Sequence, residues 1–189
     1  MEMKYKKYLF EMKSVLYDKK WTKTAKNFPV YYVWRSVKEK GDLRYDLTKM
    51  PPKMLGKEFP KTQGHDHSLA APEFITVTKG KALFLHQKCR GKKVDDAYCV
   101  PVKKGESVIA PGNYAHFAIN PGDKELKFTN WINKKNRNVY NFVKKMSGAC
   151  YFYTKEGWIK NKNYKRVPEL RFEKPLKKAP KDLTFLYGN

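Results

Sequence analysis

His65, Asp66 and His67, followed after a five-residue spacer by Glu73, are residue types at a spacing that could hold a divalent metal ion. Along a β-strand the side chains of residues i and i+2 share a face, so His65 and His67 can turn ring nitrogens to one point while Asp66 faces away. Glu73 opens the run Phe74-Ile75-Thr76-Val77-Thr78, whose β-branched and aromatic residues read as a strand with Lys79-Gly80 as its turn. Paired antiparallel with the histidine strand, it would bring a carboxylate beside two imidazoles. An ion held there acts as a Lewis acid toward substrate oxygens. Taken alone, a His-x-His is also a common accident of surface or core, so the reading depends on donors elsewhere in the chain.

Downstream, Gly105, Pro111, Asn113, His116 and Asn120 follow with five, one, two and three residues between them. This pattern resembles the second motif of the cupins, and the stretch from His65 to Glu73 resembles the first. In that family the motifs supply His, His, Glu and a last His to one divalent ion inside a small β-barrel. The resemblance places these ligands on His65, His67, Glu73 and His116, and leaves His86 as the one histidine of four without a slot. Asn113 stands where cupins usually have Gly, a mild change because Asn tolerates left-handed backbone. The spacer before Glu73 is longer than in the simplest cupins.

Within the superfamily, Gly56-Lys57-Glu58-Phe59, Thr62, Gly64-His65-x-His67 and Glu73 are together similar to the archaeal-type cupin glucose-6-phosphate isomerases, and Gly41-Asp42-Leu43 and Thr48 also sit at that family's places. The likeness covers about residues 29–140. It implies a metal-dependent aldose–ketose isomerase of glycolysis and gluconeogenesis, interconverting glucose 6-phosphate and fructose 6-phosphate as a homodimer, with one divalent transition metal ion (Fe, Mn, Ni, Co or Zn). On the same resemblance Thr48, Thr62 and Gly64 would hold the substrate phosphate, Tyr140 would reach it, and Tyr32 would line the sugar site. Glu73 would be the catalytic proton shuttle as well as a ligand. Three family positions differ: a sugar-facing tyrosine, a phosphate-side tyrosine and a nearby histidine fall on Ile75, Ile132 and Asn138. These replacements keep open a non-catalytic sugar-phosphate-binding cupin. Three His and one Glu would also suit a metal-dependent cupin oxygenase, for which Thr48, Thr62 and Gly64 would have no purpose. Lys57 and Glu58 read as a solvated pair at a strand end.

The elements that must position these residues are mostly short strands. Tyr5, Leu9, Met12 and Leu16 recur at three- and four-residue spacing with lysines between them, which predicts an amphipathic N-terminal helix. Strands are predicted over 30–34 and 43–50, then a meander over 82–87, 97–102, 107–110 and 115–119, and a further strand over 126–132. A helical turn over 140–145, a hairpin of 149–153 with 157–159, and a proline- and lysine-rich tail from Tyr164 complete the chain. The tail could wrap the surface or pack on a partner. With the resemblance, the fold class is all-β: a cupin, that is, a double-stranded β-helix or jelly-roll barrel, with an N-terminal helix and a C-terminal extension. One domain is expected over 1–189, divided into a helical extension (1–28), a barrel core (29–133) and a C-terminal extension (134–189).

The 41 basic and 18 acidic residues give a formal charge of +23, spread through every segment rather than gathered in one block. Such a surface concentrates anionic substrates near a site. It would equally attract nucleic acid, but no zinc-ribbon or RNP-type motif accompanies it, so a lysine-rich solvated surface is the simpler reading. Cys89, Cys99 and Cys150 are odd in number and widely spaced, poor material for a disulfide framework. The first sixteen residues lack a signal-peptide core, and no run reaches membrane-spanning length. A cytoplasmic protein without membrane contact is therefore expected.

Overall fold

The computed structural model describes residues 5–188. Among these described residues fourteen strands appear in chain order: β1 (Tyr5–Tyr8), β2 (Pro29–Lys40), β3 (Leu43–Met50), β4 (Asp66–His67), β5 (Glu73–Lys79), β6 (Lys81–Arg90), β7 (Lys93–Lys103), β8 (Ser107–Ala110), β9 (Ala115–Ile119), β10 (Leu126–Asn133), β11 (Asn138–Val139), β12 (Tyr151–Thr154), β13 (Gly157–Lys160) and β14 (Arg171–Phe172). They form a six-stranded sheet ordered β1-β2-β3-β10-β5-β8 and a four-stranded sheet ordered β14-β7-β6-β9, with the pairs β11-β4 and β12-β13 beside them. Every pairing within these sheets is antiparallel except β14 on β7. The two sheets close over a core that includes Met50, Ile75, Phe84, Leu85, Phe117 and Leu126. This is the jelly-roll barrel of an all-β cupin, and strand β3 falls where the pattern of residues 43–50 predicts it.

The N-terminal segment is not one helix. Tyr5, Lys6 and Lys7 instead pair with Val33, Tyr32 and Tyr31 at the edge of the large sheet. Only Leu9–Met12 is α-helical, followed by a 3-10 turn over Lys13–Val15. An isolated turn of helix is unstable in water, whereas the edge of β2 offers unpaired backbone groups to a Tyr-flanked segment. The apolar spacing did report burial: Leu9, Met12, Val15 and Leu16 are all fully enclosed. A second short helix, α2 (Trp21–Thr24), begins where the Asp18 carboxylate accepts the Trp21 N–H at 2.9 Å.

After β11 comes the short helix α3 (Asn141–Lys145), then the β12–β13 hairpin. The tail beyond it straps the barrel. Arg171 and Phe172 pair with Tyr98 and Cys99, Leu176 bonds with Ser107 on the edge of β8, and Leu186 is buried against Leu43 and Phe74. Arg171 also grips Asp96 with both terminal guanidinium nitrogens, Nη1 and Nη2. Among the described residues no helix is long and apolar enough to cross a membrane.

Candidate metal centre

Three parts of the barrel deliver the donors. His65 forms an isolated antiparallel bridge with His116 of β9, and the two rings stand 4.4 Å apart. β4 carries the chain on to His67, where Asn138 of β11 is its partner. Glu73 arrives from the facing sheet, paired with Ala110 on β8. The antiparallel pairing expected between the Glu73 strand and the histidine strand therefore does not form. Residues 68–72, ending at Pro72, carry the chain from one sheet to the other, and β5 gives its hydrogen bonds to β8 and β10. The side chains converge all the same: one donor atom each of His65, His67, Glu73 and His116 lies within 4.8 Å of the others.

Hydrogen-bond accounting shows that these atoms fit a cation. His67 Nδ1 lies 3.1 Å from the carbonyl oxygen of Ala71, an acceptor, so Nδ1 carries the hydrogen. A neutral His67 ring then turns its Nε2 lone pair on Glu73 Oε2 at 3.2 Å, and two acceptors at that distance need a proton or a metal ion between them. His116 Nε2 stands 3.4 Å from the same oxygen. His65 Nε2 is buried with no hydrogen-bond partner, as is His116 Nδ1. Three imidazoles and a carboxylate make a donor set suited to a first-row divalent ion, and the Ala71 carbonyl fixes the His67 tautomer as outer partners of metal-binding histidines do.

The electrostatics follow from enclosure. Burial, reinforced by the charge of His116, pushes the His65 imidazole well below its usual range. Burial works to raise the Glu73 carboxyl, but hydrogen-bond donation and positive charge, first from His116 and then from His67 when that ring is protonated, outweigh it and hold the group well below ordinary carboxylates. His86, opposite His116 on β6, is fully enclosed and stacked on Tyr98 at 4.7 Å. Burial lowers its pKa to about 3, so it is a neutral wall outside the donor set.

His65, Glu73 and His116 share one cavity wall with Thr48, Thr62, Gly64 and Tyr140. Thr62 Oγ1 accepts the Ala118 N–H at 3.0 Å, which leaves its own hydrogen free to donate. The Thr62 N–H is committed to the Ala118 carbonyl at 2.8 Å, and the Gln63 N–H points to the Tyr31 hydroxyl at 3.4 Å. Gly64 has φ 75°, and a Cβ there would lie 1.9 Å from the Phe117 ring, so packing alone accounts for the glycine. Tyr32 does not line this cavity. On β2 its neighbour Tyr31 points in, in phase with Val33 opposite Thr48, while Tyr32 faces out and stacks on Trp34 at 6.4 Å. Ile75, Ile132 and Asn138 are also in the lining.

Two features escaped the sequence reading. Arg35, Arg44 and Asp46 line the same cavity. Glu58, expected as half of a solvated pair with Lys57, is buried and forms an ion pair with the equally buried Lys61, whose ammonium also donates to the Val15 carbonyl at 3.0 Å. Lys57 itself is exposed. A basic residue at i+3 on an extended segment gives no periodic signal of such a pair.

The family model described as glucose-6-phosphate isomerase (GPI) matches residues 7–169. The glucose-6-phosphate isomerase of Pyrococcus abyssi is 34% identical over 127 residues, which are 64% of this chain and 65% of that protein. That of Pyrococcus furiosus is 36% identical over 102 residues, 53% of this chain and 51% of that protein. The matched stretch thus spans between about half and 65% of these relatives' length. Among solved structures, a Lactobacillus farciminis oxalate decarboxylase formate complex is similar with TM-score 0.48 and 16% identity, over 61% of this chain and 33% of that one. Because the family model takes in β2 to β13 and all four converging donors, the chain belongs to the glucose-6-phosphate isomerase (GPI) family.

Proposed function

We propose that the chain is a metal-dependent isomerase that interconverts glucose 6-phosphate and fructose 6-phosphate. The observation that carries this is the shared cavity, in which His65, Glu73 and His116 of the four-donor cluster and the hydroxyl-bearing Thr48, Thr62 and Tyr140 face the same space. An aldose–ketose isomerase moves a hydrogen between C1 and C2 of an open-chain sugar while charge develops on the neighbouring oxygens. His65, His67, Glu73 and His116 would hold one divalent ion of the Mn, Fe, Co, Ni or Zn class, which supplies Lewis acidity to those oxygens.

The chain's own groups supply the rest. Glu73 is ionised at neutral pH and can take a proton from carbon and return it. Thr62 offers its hydroxyl hydrogen to a phosphoryl oxygen. The Asn138 amide donates to the Tyr140 hydroxyl at 3.2 Å, leaving that hydroxyl's own hydrogen for the substrate. Ile75 and Ile132 give apolar walls that keep water from the reacting carbons. By family likeness the working form would be a cytoplasmic homodimer.

Metal-loaded protein should form glucose 6-phosphate from fructose 6-phosphate in a dehydrogenase-coupled assay, and His116→Ala should abolish it. Ile75 and Ile132 in the lining favour a second reading, a sugar-phosphate-binding protein without turnover. Tight hexose-phosphate binding by folded, metal-loaded protein that yields no product would select that reading and sink the first.

A further inference from the structure

We propose that Arg35 and Arg44, bridged by Asp46, form a cationic pole in the cavity wall that receives the phosphoryl dianion of the substrate. This rests on the sugar-phosphate reading above and adds the positive charge that Thr48, Thr62 and Tyr140 lack.

The cluster is built into the barrel. On β3 the alternate residues Arg44, Asp46 and Thr48 are buried and line the cavity. Asp46 Oδ2 accepts from Arg44 Nε at 3.1 Å and from Arg35 Nη1 at 3.2 Å, while Oδ1 accepts the Ser36 N–H at 2.8 Å. That third bond holds Ser36 at φ 53°, inside the register break of β2 against β3 between Trp34 and Lys38. A bulge with a non-glycine residue in left-handed backbone is costly, and such features re-aim side chains beside functional sites. Here the distortion keeps Arg35 on the cavity wall.

Charge decides the ligand. Within this cluster two guanidiniums face one carboxylate, so one positive charge is left uncompensated, and the cavity's other carboxylate, Glu73, is turned to His67 and His116. The Arg44 and Asp46 side chains are only 10% and 4% exposed, so bulk water screens it poorly. Across β10, Arg44 pairs with Ile132 and Asp46 with Asn130, neither of which is anionic. Among the described residues that line the cavity, Arg35 and Arg44 are the only permanently cationic side chains. Lys7, whose ammonium lies 5.7 Å from the Tyr140 ring, is already paired with Glu11 at 3.2 Å. The Thr62 and Gln63 N–H groups are likewise engaged within the fold. A guanidinium matches the tetrahedral oxygens of a phosphoryl group in charge and in fork geometry.

The test is calorimetric titration of inorganic phosphate into the full chain, metal-free and metal-loaded, for wild type, Arg35→Met, Arg44→Met and Arg44→Lys. Wild type should bind phosphate in both forms. Each methionine variant should weaken binding roughly 10–100-fold, the range for a lost hydrogen bond to a charged group. Arg44→Lys should fall between, keeping charge without the fork. The same variants should raise the KM for fructose 6-phosphate by a similar factor, with a smaller change in kcat. The Arg35 side chain is 38% exposed, so Arg35→Met should fold with an unchanged thermal midpoint and decides the matter if Arg44→Met does not fold. Wild type that fails to bind phosphate, or a folded Arg35→Met that binds it as tightly as wild type, would overturn the assignment. Arginine-dependent phosphate binding without turnover would leave it standing while the isomerase reading fails.

Discussion

Replacing His65 with leucine should separate what the donor cluster costs the fold from what a bound ion returns. The buried Nε2 of His65 has no hydrogen-bond partner, a desolvation cost of about 1–3 kcal/mol. Leucine fills a similar volume without a polar atom, and imperfect repacking in such swaps costs up to about 1.5 kcal/mol. The metal-free variant should therefore lie between a loss of about 0.5 kcal/mol and a gain of roughly 3 kcal/mol, a change in Tm from about −2 to about +12 °C for a chain of this size. With the ion at one hundred times its Kd, wild type should gain about 2.7 kcal/mol, or roughly 5–11 °C. His65→Leu should lose most of that shift at the same ion concentration. Differential scanning calorimetry of chelator-treated and metal-supplemented samples reads both quantities. A metal-free variant destabilised by more than about 2 kcal/mol would show that the nitrogen has a structural partner and that the accounting is wrong. An undiminished metal shift would remove His65 from the ligand set.

Further outcomes follow from the same geometry. Lys61→Met leaves Glu58 buried at 1% side-chain exposure without its ion-pair partner and should cost about 3–5 kcal/mol in denaturant unfolding, part of it recovered when Glu58→Gln is added. Gly64→Ala drives a Cβ into Phe117 at positive φ; it should cost about 2–4 kcal/mol, and Phe117→Leu should restore the steric part only, read as denaturation midpoints. Asp96 is held below its usual 3.8, first by the Arg171 hydrogen bond that clamps the tail. A depressed folded-state pKa means that this contribution is complete above the unfolded value near 4 and is lost as pH falls through the folded value. The pair is part-exposed, so the effect should be at most about 1 kcal/mol. Limited proteolysis of the tail should quicken at pH 3, and Asp96→Asn should quicken it at pH 7 while erasing that pH dependence.

The parts of the molecule legible in the sequence are those where one local rule decides. The strand over Leu43–Met50 and the turns of the meander follow from β-propensity and turn chemistry. The convergence of four donor side chains was legible because they sit in two short motifs, although the sheet that delivers Glu73 was not: a five-residue spacer permits a hairpin as readily as a crossing to the facing sheet. The N-terminal segment failed for a related reason. Three- and four-residue spacing marks which residues are buried, and Leu9, Met12 and Leu16 are, but the competing hydrogen bonds of the β2 edge, invisible along the chain, decided that the segment opens as a strand.

The arginine pole shows where alternation itself misleads. Residues 43–49 read Leu-Arg-Tyr-Asp-Leu-Thr-Lys, and for a strand over an apolar core that pattern turns Arg44, Asp46 and Thr48 to solvent. The barrel does the opposite. Tyr45 packs against Trp131 at 4.8 Å on the outer face, while the polar residues are buried along the cavity. A period of two fixes that these residues share a face but not which face is inside. The choice is made by Thr48 opposite Val33 and Phe128, contacts between strands 15 and 80 residues away in the chain. Burying a carboxylate and a guanidinium along one strand, with the part-exposed guanidinium of Arg35 beside them from β2, is costly unless the space they enclose takes a charged ligand. Inverted polarity on β3 is therefore itself a mark of the site, and a strand reading as polar on one face in a chain that also carries barrel metal motifs should be tested first as cavity lining.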